Sequence, residues 1–113
     1  MEEKIIKSSE VEKQDFGSIR VQNLFSEDSY DKFSIAKVEI VGEQKVGLDT
    51  ESDIAYYVLE GKGKFFLEDD EFNVEKEDLV FIPKNTKYKD EGNLILLAIS
   101  VPKFNRNKME YFE

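Results

Sequence analysis

Apolar residues in this chain recur at strand spacing. No part of the core repeats them at the helical interval over about eleven residues. Residues 33–41 alternate, with β-branched side chains at Ile35, Val38, Ile40 and Val41. Residues 54–60 (IAYYVLE) are rich in aromatic and β-branched types. Residues 93–101 (NLILLAISV) are nearly all apolar, which predicts a strand covered on both faces. Further strands are predicted over 18–25, 64–68, 71–75 and 78–82, the last stopping at Pro83. Many short strands separated by turns point to an all-β sandwich or barrel.

Turn signals fall between these runs. Glu60-Gly61-Lys62-Gly63 separates two of them, because glycine reaches positive φ without penalty. Pro83-Lys84-Asn85-Thr86 closes another, and Glu91-Gly92-Asn93 precedes the last long strand. Glu68-Asp69-Asp70-Glu71 reads as a hairpin tip whose like charges require water. Ser8 to Lys13 suits a helical turn or an added strand, and the polar stretch after Pro102 suits a local turn, a short helix or a frayed end.

Alternation places Ile54, Tyr56 and Val58 on one face of their strand. The apolar residues Tyr57, Leu59, Phe65 and Leu67 are then expected on outer faces.

The whole chain, 113 residues, fits one domain with a real core. The expected division is a barrel over about 33–101, an extra strand or turn within 1–32, and a tail over 102–113. Charged residues make up 36% and the net charge is −9, a balance that disfavours nucleic acid and anionic membranes as partners. The N-terminal residues lack the apolar run of a signal peptide, so a cytoplasmic location is expected. There is no cysteine and no histidine. That removes thiolate and imidazole ligands, cysteine nucleophiles and every histidine-based triad.

Residues 38–101 resemble the cupin family. The match rests on VGEQKVGLDTESDIAYYVLEGKGKF and EDLVFIPKNTKYKDEGN. The family motifs are G-x5-H-x-H-x3-4-E-x6-G and G-x5-P-x-G-x2-H-x3-N. The resemblance implies a double-stranded β-helix, or jelly-roll barrel, with an interior pocket, and a homodimer formed through a sheet face.

Anchored on Gly42 and Gly61, the first motif puts Leu48 and Thr50 at its two histidine positions and Ile54 at its glutamate. The second keeps Pro83 and puts Tyr88 at the third histidine. A shift of one residue would instead bring Gly47 and Asp49 to the first two positions. Neither alignment supplies a transition-metal site, so no metal and no cofactor is expected.

Within the resemblance, Tyr88, Tyr56, Leu48, Thr50 and Ile54 are candidate lining for a ligand. Tyr88 is also a candidate acid, with Asp49 or Glu51 as base. The bland alternative is that both tyrosines fill core volume and the acidic trio Asp49, Glu51 and Asp53 is a solvated loop. Lys84 and Lys87 flank the second motif and could meet an anion, or simply be solvated. Two functions follow: a metal-free barrel that binds a small polar molecule, sugar-like or anionic, or a metal-independent isomerase, epimerase or lyase acting on a carbohydrate-type substrate.

Overall fold

The computed structural model describes residues 1–112 and is all-β. Its strands are β1 (Gln14–Asp15), β2 (Ile19–Phe25), β3 (Ser34–Glu43), β4 (Val46–Asp49), β5 (Asp53–Leu67), β6 (Asp70–Glu75), β7 (Leu79–Ile82), β8 (Tyr88–Val101) and β9 (Met109–Phe112). Short 3-10 turns cover Ser8–Glu10 and Arg106–Lys108. All strands join one antiparallel sheet that curls on itself as a barrel. Among the described residues no helix is long and apolar enough to cross a membrane.

Two long strands form the spine. β5 and β8 pair from Asp53 opposite Val101 to Leu67 opposite Tyr88. The other edge of β8 takes β3, and β4 meets it at Gly47 opposite Tyr88. The other edge of β5 takes β7 along its first half and β6 along its second. The residues 60–63 expected as a turn therefore lie inside one continuous strand.

A bulge explains why. The β5–β8 register slips between Val58 and Glu60, and Gly61 follows with φ of 89°. One extra residue bends the strand and reverses which parity faces inward. Ile54 and Val58 are buried before the bulge, and Phe65 is buried after it. Phe65, expected outside, is 0% exposed, and Leu67 packs against the core beside it. Tyr57 lies on the outer face as expected. The core is built from Val38, Ile40, Val58, Phe65, Val74, Val80, Ile82, Leu94 and Leu96.

The glycines read as turns are contact points between backbones. Gly42, Gly92 and Gly63 form one row across β3, β8 and β5. A Cβ on Gly63 would overlap the carbonyl oxygen of Glu91, and one on Gly61 that of Asn93. Glycine is required here because a strand backbone approaches closely.

The chain outside 33–101 is also ordered into the sheet. β1 and β2 extend the β3 edge. Gln22, buried on the other side of β2, holds the first 3-10 turn by donating to the carbonyls of Ser8 at 2.8 Å and Val11 at 3.0 Å. The polar stretch after Pro102 ends in β9, which pairs with β4 from Val46 opposite Phe112 to Asp49 opposite Met109. Periodicity missed this strand because four residues are too few to show an alternation, and its partner β4 is itself short.

Gly63→Ala should cost more than about 2 kcal/mol, because neither backbone can retreat without breaking the β5–β8 ladder. Gly42→Ala, with φ of 90° but nothing within 4 Å, should cost only about 1–2 kcal/mol, the strain of a left-handed residue. Denaturant midpoints of the two variants should fall in that order.

Candidate functional site

Two phenols and a buried carboxyl meet inside the barrel near the start of β8. Tyr88 is its first residue and Asp90 follows on the same face, since strand side chains alternate. Tyr56 reaches them from the first half of β5. The two phenols share a hydrogen bond at 3.1 Å, with ring centroids 6.1 Å apart. Phe65 supports the Tyr56 ring at 5.5 Å. Burial pushes both phenols well above the ordinary tyrosine range. The neighbouring Asp90 and Tyr111 add to this at both phenols, and Asp49 adds to it at Tyr88, while the bond to Tyr56 pulls the Tyr88 value the other way.

Asp90 is 5% exposed. Loss of hydration pushes its carboxyl up to about 7, partly offset by its own backbone N–H. It therefore exchanges a proton near neutral pH, as a group poised for acid–base work does. Sequence reasoning missed it because Glu91-Gly92-Asn93 looked like a turn. Once the strand is known to begin at Tyr88, the two-residue spacing brings Asp90 to the same face.

Of the two motif registers, burial in β4 follows the shifted one. Gly47 and Asp49 are buried, while Leu48 is half-buried opposite Glu110. Thr50 turns away, its hydroxyl donating to the Lys108 carbonyl at 2.7 Å. Ile54 is buried in the core wall opposite Ile82. Glu51 is exposed and contributes its backbone N–H to Asp49 Oδ1 at 2.9 Å. Ser52 donates to the same oxygen at 2.8 Å. The second oxygen, Oδ2, is buried with no hydrogen-bond partner among the described residues, and the whole residue is 3% exposed. A buried carboxylate oxygen in that state has acceptor capacity to spare.

Asp49, Tyr56, Tyr88 and Asp90 thus form an acceptor-rich cluster. Among the described residues no lysine or arginine is bonded to any of them. Lys87 instead places its ammonium 4.6 Å from the centre of the Phe112 ring, and Lys89 pairs with Glu43. The donor set does not suit the transition metal of the cupin motifs: among the described residues no three His, Cys, Asp or Glu side chains converge for an ion.

No protein-family model matches the chain. It is 38% identical over 66 residues to an uncharacterised protein of Methanocaldococcus jannaschii, a match covering 55% of this chain and 53% of that one. The chain thus spans about half the length of that relative. Streptomyces Pac13, solved with uridine, superposes with a TM-score of 0.88 at 20% identity, covering 99% of this chain and 92% of its own. Another structure of it carries the description of a unique nucleoside dehydratase. KdgF from Halomonas follows at 0.81 and 15% identity, over 92% of this chain and 97% of that one. The cupin domain of Schizosaccharomyces pombe Cnp3 gives 0.72 at 19%, over 83% of this chain and 70% of that one. The chain has the cupin fold.

The raised carboxyl of Asp90 makes stability depend on pH. Its folded value of about 7 lies above the unfolded 3.8, so the folded state favours the proton. Its contribution is full below pH 4 and is lost as the pH rises toward 7. Asp90→Asn should flatten the stability profile over that window, by an amount on the order of 2–4 kcal/mol. Urea denaturation at pH 4 and pH 8 checks this; equal pH dependence in both proteins would show that Asp90 is well solvated.

Proposed function

We propose that this cupin-fold barrel binds a small, neutral, hydroxyl-rich molecule at the Tyr56–Tyr88–Asp90 end of its interior, without a transition metal. What supports the reading is the buried pair of phenols beside two carboxyl groups, with no lysine or arginine bonded to them among the described residues. Such a lining offers acceptors to hydroxyl donors and repels anions. Of the sugar-like and anionic ligands expected from sequence, the geometry favours the first. The likeness to a barrel solved with uridine supports a ligand of that size, not its identity.

Catalysis is the second reading, and the near-neutral carboxyl of Asp90 favours it. In a metal-independent elimination, the Asp90 carboxylate would take a proton from carbon. The electron pair left behind forms the double bond, and a hydroxyl on the adjacent carbon departs as water with the proton of Tyr88. Asp90 then returns its proton to the tyrosinate. Asp90→Asn would keep binding and abolish turnover.

Tyr88→Phe should weaken a barrel ligand by about 0.5–1.5 kcal/mol, the net worth of one hydrogen bond, with the fold intact. Calorimetric titration with uridine, ribose and uronates is the direct measurement. Unchanged affinity for a ligand seen in the barrel would leave Tyr88 as core filling.

A second copy of this chain is the proposed partner. The outer face of the β7–β5–β8 sheet carries two apolar rows, Leu79–Tyr57–Leu97 and Phe81–Ala55–Ile99. Leu79 and Phe81 are 64% and 57% exposed. With a net charge of −9, most surfaces of two copies repel, and an uncharged patch is where they can meet about a two-fold axis. Sedimentation should show a dimer at micromolar concentration, and Leu79→Glu with Phe81→Glu should return it to monomer. A monomer at every concentration would reject the interface.

A further inference from the structure

The row of residues that crosses the site at its rim is Tyr111, Gly47 and Tyr88, opposite one another on β9, β4 and β8. Gly47 has no side chain, and the Tyr111 ring occupies the space. A Cβ placed on Gly47 would lie 3.1 Å from Tyr111 Cδ1 and 3.3 Å from Cε1. The ring therefore leans over the Gly47 backbone on the face that carries Tyr88. It is nevertheless 64% exposed, an unusual state for an aromatic on the ligand side of a barrel. Its hydroxyl is near enough to add to the charge felt by both buried phenols.

The exposure does not come from a loose strand. The Lys108 carbonyl just before β9 accepts both the backbone N–H of Thr50 at 3.0 Å and its hydroxyl at 2.7 Å. Asn105 caps the preceding turn through Asn107 at 3.0 Å, and the Lys87 ammonium sits over Phe112. The platform is held from both sides, yet the Tyr111 ring stays largely exposed. Asp49, two residues beyond Gly47 on β4, has its Oδ2 without a hydrogen-bond partner among the described residues.

We propose that Tyr111 is the specificity-determining residue of the site: it stacks on a planar unsaturated ring whose hydroxyl-bearing part enters toward Tyr88, so the ligand class is the nucleosides rather than free sugars. This rests on the reading of the barrel interior as a polyol site and adds the requirement for a ring. A hydroxyl-rich group satisfies the acceptors within. A flat ring with polar N–H edges suits an aromatic face beside an acidic wall.

The test uses uridine and ribose as probes against the whole protein, with Tyr111→Phe, Tyr111→Leu and Tyr111→Ala, each checked for an unchanged circular dichroism spectrum. Uridine should bind the natural protein at least about tenfold more tightly than ribose, the range expected for one aromatic stack. Tyr111→Phe should stay within about twofold of that affinity, because the face is retained. Tyr111→Leu, which still covers Gly47, and Tyr111→Ala should each weaken uridine about tenfold and leave ribose unchanged. Ribose bound as tightly as uridine, or uridine indifferent to Tyr111→Leu, would overturn the stacking role. The polyol reading would survive that result if Tyr88→Phe still weakened ribose. No binding of either probe to the natural protein would overturn both.

Discussion

The site depends on a single extra residue in β5. The bulge between Val58 and Glu60 lets one strand serve two halves of the barrel, with even-numbered side chains inside before it and odd-numbered ones after. Tyr56 and Phe65 can pack together only because of that reversal. The Phe65 ring in turn backs the phenol that meets Tyr88. Without the reversal, Phe65 and Leu67 would face solvent, while Lys64 and Phe66 would turn inward. A lysine beside Asp90 would then neutralise the feature that defines the interior. The glycines after the bulge serve the same end, letting β8 lie close along a strand that is bending away.

The interior shows what a barrel can hold when imidazole is absent. A metal-binding cupin concentrates positive charge at its centre, and its neutral histidines and carboxylate face the ion. Here the corresponding region is bounded by Gly47, Asp49, Ile54 and Tyr88, with Asp90 alongside. The electrostatics are reversed: negative or protonated oxygen groups crowd together, and among the described residues no lysine or arginine is bonded to them. Asp90 responds by keeping its proton until the pH approaches 7, and the two phenols respond by staying neutral. The same crowding that suppresses ionisation leaves acceptors unsatisfied, and that is the state a hydroxyl-bearing molecule relieves.

Much of the barrel was legible in the sequence, because alternation of apolar residues marks strands whose two faces differ. β2, β3, β6 and β7 fall where the pattern puts them. The joined strand β5 and the early start of β8 did not, since Gly61, Gly63 and Gly92 carry the same signature whether they turn a chain or let two backbones touch. The tyrosine pair was readable from motif position and strand parity. Asp90 was hidden behind the misplaced start of β8. Tyr111 was hidden because the stretch after Pro102 has little periodicity, and its role depends on a partner strand far away in sequence. In β4 the letters VGLD permit either face to be inward. Only pairing with β9 on one side and β8 on the other decides it.

Strand β8 also governs the order in which this chain can assemble. β5 can form ladders early with β6 and β7, which follow it closely. β3, β4 and β5 all wait for β8 as a common partner. Until β8 docks, the apolar inner faces of β3 and β5 remain open and unpaired edges are available to other chains. Pairings across such sequence distances carry a large loop-closure cost, so the docking of β8 is the step expected to limit folding. The strand that carries Tyr88 and Asp90 is thus also the strand whose arrival decides between a closed barrel and aggregation.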